Sequence, residues 1–329
     1  MRPFSYRCPQ TVDEAIQDYG QAQETRFIGG GTNLLDLMKM GVERPAHLVD
    51  ISRLPLTKIE ERGDGIQIGA MVSNTDAANH PLVRTRYPVL SEAILAGASQ
   101  QLRNMATMGG NLLQRTRCYY FYDPSYAECN KRVPGTGCAA INGYNRIHAI
   151  LGQSPECIAV HPSDMCVALV ALDAVVQVKG PKGARQIPIM EFHRLPGRTP
   201  QVETNLQSGE LITAIDVPAV PYAKYSRYLK IRDRHSYAFA LVSVAAVMDV
   251  EESGTVRHAR IALGGVSHKP WRALKAENAL LGKKIDDDTL RAAAEAELAD
   301  AHGYEHNAFK IELARRTIVR AVTSAIKAA

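Results

Sequence analysis

Apolar positions recur along this chain with two periods, and the switches between them mark its organisation. Ile311, Ala314, Ile318, Val322 and Ala325 fall three or four residues apart and line one face of a C-terminal helix. At the other end, TVDEAIQDYG places Thr11 before an acidic first turn and Gly20 at its close, the marks of a capped helix. Arg26-Phe27-Ile28 follows as a short strand, LLDLMKM as a helix and HLVDIS as a buried strand. That alternation predicts a small α/β unit over residues 1–57. Over residues 58–220 the β-branched runs DGIQIGAMVS, AVVQVKG, ARQIPIM and ELITAIDVP predict strands, with helices at PVLSEAILAGA and SDMCVALVALDA. Residues 221–329 form a third region, with strands in KYSRYLKIR, YAFALVSVAAVMDV and ARIALGGVS before two helical stretches. One segment, about 115–157, has few periodic apolar positions and reads as a long loop or insertion. Such length is uncommon unless the loop is functional or tied down.

Composition narrows the class. At 329 residues, with 46% hydrophobic and 22% charged residues, the chain has the make-up of a soluble globular protein of two or three domains. Its 39 Lys+Arg against 34 Asp+Glu leave +5, too weak and scattered to argue for nucleic acid. No apolar run approaches the roughly 18 residues of a membrane span. MRPFSYRCPQTVDEAI lacks the apolar centre of a secretory signal. Alone, the chain is expected to stay in the cytoplasm, where disulfides are disfavoured and clustered cysteines lean towards metal or redox chemistry.

Two glycine-rich stretches carry binding chemistry. FIGGGTNLLDLM runs from a strand through Gly29, Gly30 and Gly31 to Thr32, Asn33 and a helix. Successive glycines let backbone N–H groups converge on an anion, and the helix presents its positive end. The pattern is neither G-x-G-x-x-G nor a P-loop, so a nicotinamide site and an ordinary NTPase are poorly supported. TMGGNLL, Thr107–Leu113, repeats the Gly-Gly-polar-Leu arrangement. Two such loops fit an extended dinucleotide better than two unrelated turns.

Cys118, Cys129, Cys138 and Cys157 are four of six cysteines, separated by 10, 8 and 18 residues. That is neither a C-x2-C zinc ribbon nor the close-set run of a bacterial ferredoxin. Spacing alone leaves a disulfide, zinc, an iron–sulfur cluster or free thiols open. The company of Arg115, Arg117, Asn130, Lys131, Arg132, Pro134 and Gly135 is not that of a core. Cys8 and Cys166 read as core residues.

FIGGGTNLLDLM, QLRNMATMGGNLL and HPSDMCVALVALDA, in that order, resemble the FAD-binding subunits of molybdenum hydroxylases, the xanthine dehydrogenase and aldehyde oxidoreductase family. The resemblance continues through YLKIRDRHSYAFALVSVAA and ALGGVSHKPWRA and covers nearly the whole chain. It is nearest to the flavin subunit of bacterial periplasmic aldehyde oxidoreductases, which carries an added iron–sulfur cluster. It implies an α+β fold: a two-lobed FAD-binding domain of the vanillyl-alcohol-oxidase/PCMH type, followed by an α+β domain like the CO dehydrogenase flavoprotein C-terminal domain.

By the same resemblance, Arg26, Phe27, Ile28, Gly29, Gly30, Gly31, Thr32, Asn33 and Leu34 would wrap the FAD pyrophosphate. Thr107, Gly109, Gly110 and Asn111 would form the second wall, and Asp164 would bond FAD hydroxyls or serve as a helix-start carboxylate. Lys230 would stand near the isoalloxazine, against the alternative of an exposed strand lysine. The insertion would hold a 4Fe–4S cluster on Cys118, Cys129, Cys138 and Cys157, stabilised by Lys131, Arg132 and nearby amides. The implied partners are a large molybdopterin-binding subunit, a small 2Fe–2S subunit and an acceptor such as a ferredoxin. The implied task is to pass electrons from the partners' centres through FAD to that acceptor. No general acid or base is assigned, and His161 and His235 are read as structural. Export folded with a partner that carries a signal would place the chain in the periplasm. A stand-alone flavin oxidase or reductase, which needs no partner for turnover, and a colourless metal-bound scaffold are the rival readings.

Overall fold

Each apolar pattern closes onto a sheet of its own in the computed structural model, which describes residues 1–327. The first sheet is parallel, in the order β1-β3-β2, from β1 (Ser5–Arg7), β2 (Thr25–Ile28) and β3 (His47–Asp50). The helix Val12–Gly20 crosses between β1 and β2. Thr11 Oγ1 accepts from the Glu14 N–H at 3.2 Å, and the Glu14 carboxylate accepts from the Thr11 N–H at 3.2 Å, a reciprocal capping box. β1 had no signal in the sequence: its three residues are all exposed, and only the ladder to β3 fixes them.

The second sheet is antiparallel, in the order β4-β5-β8-β6-β7: β4 (Ile59–Arg62), β5 (Gly65–Gly69), β6 (Val175–Gly180), β7 (Gly183–Pro188) and β8 (Leu211–Val217). ARQIPIM divides at Pro188, after which Ile189–Phe192 is helical. Proline has no N–H for the ladder and sits readily at a strand end. The helices Pro88–Ala96 and Asp164–Ala171 bury their apolar faces in the core over this sheet. Cys166, on the second helix, is fully buried as expected, whereas Cys8 is only half-buried and belongs to no core.

The third sheet is antiparallel, in the order β12-β11-β10-β9: β9 (Ser226–Ile231), β10 (Val242–Val250), β11 (Val256–Gly264) and β12 (Trp271–Arg272). β10 starts later than its apolar run implies, because Tyr237 takes a positive φ of 51° and the chain loops before Val242. Both faces of β10 are covered. Val242, Val244, Ala246 and Met248 enter the C-terminal core, while Ala245 and Val247 enter the core of the second lobe. A strand buried on both sides loses the polar alternation of a half-exposed one, which explains the continuous run VSVAAVM. Three helices, not two, follow: Leu274–Leu280, Asp287–Leu298 and Phe309–Ile326. Ala314, Ile318, Val322 and Ala325 of the last face the core, and Ile311 is half-buried.

The segment 115–157 is not loose. It folds on a small core of its own, in which Cys118, Phe121, Cys129, Ala140, Cys157 and Ile158 gather against Leu37 of the first lobe. This corrects the expectation that its cysteines lack core company: the charged neighbours point outward or are paired, and the sulfurs point in.

Candidate functional site: a glycine-lined cavity beside four thiols

A cavity of about 1020 Å³ opens where the first lobe meets the second. Every residue from Arg26 to Leu34 lines it, together with Thr107, Gly110, Asn111 and Asp164. β2 delivers the first glycine run to the rim, and the chemistry of that run needs its missing side chains. A Cβ on Gly30 would lie 1.7 Å from the Met105 carbonyl oxygen, so the two loops touch only because residue 30 is glycine. Gly31 has φ +72°, a left-handed conformation costly for other residues. Among the described residues, the N–H groups of Gly29 to Asn33 have no acceptor elsewhere in the chain. They are donors left for an anionic guest.

The second loop differs from the first. The N–H groups of Met108 and Gly109 donate to Val72 O and Ala70 O, at 2.9 and 2.8 Å. Those of Gly110 and Asn111 turn back onto Thr107, at 3.2 Å to its hydroxyl and 2.8 Å to its carbonyl. The expectation of two equivalent phosphate loops is therefore corrected: the second wall offers side chains and shape, not free amides. Gly109 lies behind the wall, where a Cβ would meet Ala70 Cβ at 3.0 Å, and does not line the cavity. Asn111 is held by Gln114 Nε2 and the Ser163 hydroxyl, each donating at 2.6 Å to its Oδ1.

Asp164 opens the helix Asp164–Ala171 one residue after its N-cap, Ser163, so both readings of this carboxylate meet at one position. Its Oδ1 accepts from Tyr228 Oη at 2.5 Å and its Oδ2 from Lys230 Nζ at 2.8 Å. Lys230 also donates to Ala96 O at 3.1 Å. Its side chain is 4% exposed and does not line the cavity, so it is no exposed strand lysine. Burial pushes the Tyr228 hydroxyl well above its ordinary value, and the Asp164 charge adds to it.

Two features of the cavity wall had no local sign in the sequence. The first is a chain of ion pairs. Lys131, between Cys129 and Cys138, pairs with Glu203; Glu203 pairs with Arg115 at 2.7 Å; Arg115 pairs with Glu43; and Glu43 lies 3.4 Å from Arg26. Arg26, Glu43, Arg115 and Glu203 all line the cavity. Burial pushes the Glu203 carboxyl up, but Lys131 and Arg115 outweigh it and hold it at about 2. The second is a pair of neutral imidazoles. Burial holds His161 well below its ordinary value and His193 at about 4, and both line the cavity with a nitrogen that meets no partner among the described residues. His161 thus belongs to the site, while His235 is exposed on a loop.

The four expected ligand cysteines come together. Cys129 and Cys138 face each other across an antiparallel bridge, and the thiols of Cys138 and Cys157 are hydrogen bonded. Three of the four are buried, and Cys138 is half-buried. Hydrogen bonding from Cys157, with backbone donors at Ile158, Ala140 and Ile141, outweighs burial and draws the Cys138 thiol down to about 6. Burial pushes Cys118 up to about 12. Among the described residues, no three of these sulfurs lie mutually within 4.8 Å. Four ligands on one tetrahedral zinc, with bonds of ~2.3 Å, would sit roughly 3.8 Å apart. The wider nest with its backbone N–H donors suits a cluster, whose thiolates each take a separate iron.

Residues 2–220 match the family model described as the FAD binding domain in molybdopterin dehydrogenase, and residues 227–325 match the CO dehydrogenase flavoprotein C-terminal domain. The chain is 50% identical over 328 residues to the aldehyde oxidoreductase FAD-binding subunit PaoB of Escherichia coli (strain K12), covering 99% of both. It is 29% identical over 299 residues to the carbon monoxide dehydrogenase medium chain of Hydrogenophaga pseudoflava, covering 90% of this chain and 86% of that one. A solved structure of the carbon monoxide dehydrogenase from Hydrogenophaga pseudoflava matches with a TM-score of 0.78 at 29% identity, covering 100% of this chain and 99% of its counterpart. The α+β fold expected from the sequence, an FAD-binding domain followed by a CO dehydrogenase-type C-terminal domain, is the fold found.

Proposed function

Since the chain belongs to the family of FAD-binding subunits of molybdenum hydroxylases, we propose that it is the FAD- and 4Fe–4S-carrying electron-transfer subunit of an aldehyde oxidoreductase. One observation supports this above the others. The glycine-lined cavity and the four-cysteine nest lie side by side, joined by the ion chain through Glu203.

FAD, when bound, supplies the capacity to take up and release two electrons. The chain's own residues do the rest. The free amides of Gly29 to Asn33 receive the pyrophosphate, and Gly30 lets the two walls close without a side chain between them. Thr107, Gly110 and Asn111 shape the facing wall. Asp164 accepts from the cofactor's hydroxyls while Lys230 and Tyr228 fix its carboxylate in place. Lys230 remains buried positive charge behind the flavin, and Gly109 fits the second loop to Ala70. Cys118, Cys129, Cys138 and Cys157 hold the cluster.

A large molybdopterin subunit and a small 2Fe–2S subunit deliver electrons to this chain, which passes them to an acceptor such as a ferredoxin. The complex purified anaerobically should show a flavin spectrum and about four irons with labile sulfide per chain beyond those its 2Fe–2S subunit accounts for. Isolated, it should reduce dyes with a flavin reductant but turn over no aldehyde. One zinc without sulfide would exclude the cluster, and aldehyde turnover by the isolated chain would exclude a subunit role.

A further inference from the structure

Lys310 is the first-turn lysine of the helix Phe309–Ile326, and it is 0% exposed. Its ammonium donates to two backbone carbonyls, His148 O at 2.7 Å and Gly265 O at 2.5 Å. Among the described residues it has no carboxylate partner. Burial draws this amine down to about 7, so it is only partly charged at neutral pH until an anion answers it. Asp233, Glu203 and Glu156, acidic groups that bond to this insertion, already hold Arg146, Lys131 and Asn130.

The residue that Lys310 holds leads to the thiols. His148 is 1% exposed, and its Nε2 lies 3.1 Å from Cys118 Sγ. Asn307 adds a second clamp, donating through Nδ2 to Ala149 O at 3.1 Å, and the His306 N–H donates to Asn145 Oδ1 at 3.0 Å. A thiolate can only accept, so the His148 ring faces a cluster-bound Cys118 with its Nε2–H. Of the basic residues picked out in the sequence, Lys131 lowers the Cys157 thiol but also pairs with Glu203, and Arg132 is occupied by the carbonyls of Tyr120, Phe121, Asp123 and Tyr126.

We propose that Lys310 and His148 are the electrostatic partners of the cluster: Lys310 is the buried counter-charge to its four thiolates, and His148 donates an N–H···S hydrogen bond to Cys118. Both favour the reduced, more negative cluster, and so both raise its potential. The inference rests on the reading that the four cysteines hold a 4Fe–4S cluster.

The test is a redox titration of the assembled complex, following the reduced cluster by electron paramagnetic resonance after iron and sulfide have been counted. Lys310→Met with its full complement of iron should be harder to reduce. Its one-electron reduction constant should fall at least tenfold, about 59 mV, while the flavin's own titration stays in place. Lys310→Arg should restore most of the shift. If Lys310→Met fails to fold, as judged by lost flavin, His148→Leu decides, with a smaller shift in the same direction. A fully loaded Lys310→Met or His148→Leu complex that titrates like the wild type overturns the inference. A wild-type complex whose iron and labile sulfide do not exceed what its 2Fe–2S subunit accounts for overturns the cluster reading and the inference with it, and is told apart by that count.

Discussion

Replacing Glu203 with glutamine removes one charge from the middle of the ion chain and leaves its shape nearly intact. In the folded protein the carboxyl sits at about 2, against 4.5 when free of its neighbours. That difference is worth ~3 kcal/mol of stability at neutral pH. The side chain is 23% exposed and its partner Lys131 only 2%, so solvent screens the pair little. The figure agrees with the ~3–5 kcal/mol expected when one member of a buried pair is removed and the other is left charged. Because folding lowers this carboxyl's affinity for protons, the stabilisation is complete above pH 4.5 and disappears as the pH falls towards 2. Denaturant titration of Glu203→Gln should therefore show a loss of ~3 kcal/mol at pH 7, and the gap to the wild type should narrow below pH ~4.5. Adding Lys131→Met should return part of the loss, since no buried ammonium then remains unanswered. A variant within ~0.5 kcal/mol of the wild type at pH 7, or a gap insensitive to acid, would refute the reasoning.

Other sites give sharper local tests. Gly30→Ala puts a methyl group against the Met105 carbonyl oxygen, 1.7 Å from its ideal position; the walls must part, and flavin absorbance per chain should fall several-fold. Asp164→Asn leaves Lys230 buried without its counter-charge. It should cost ~3–5 kcal/mol in a denaturant titration and lower flavin retention. Thr11→Ala removes the capping box far from either centre; it should cost ~1 kcal/mol while the flavin and iron contents stay at wild-type levels.

What the sequence disclosed was what depends on neighbours along the chain. The cap at Thr11, the glycine run at 29–31 and the helix behind Asp164 are local patterns, and each lies where its pattern implies. The second glycine loop carries the same letters as the first, but its amides are engaged by Ala70 and Val72, and no spacing rule reports that. Glu203 was missed for a related reason. It sits in a polar stretch with nothing to mark it, and its partners lie 72 and 88 residues away. The insertion's core escaped notice because its apolar members are scattered and gather only when the segment closes. Lys310 and Thr317 occupy buried positions on a helix whose apolar stripe was read from its other members.

The clamp of residues 302–310 on residues 145–150 also bears on the order of assembly during synthesis. The four cysteines of the insertion emerge well before His302, His306, Asn307 and Lys310, which pin Asn145, His148, Ala149 and Ile150. Until they arrive, the wall behind Cys118 has no fixed position. The thiols would then stay unsheltered while the intervening residues are made, and their nest would close only as the helix Phe309–Ile326 docks. A ribosome stalled before Lys310 should therefore carry cysteines that a thiol reagent labels freely, and release of the full chain should protect them.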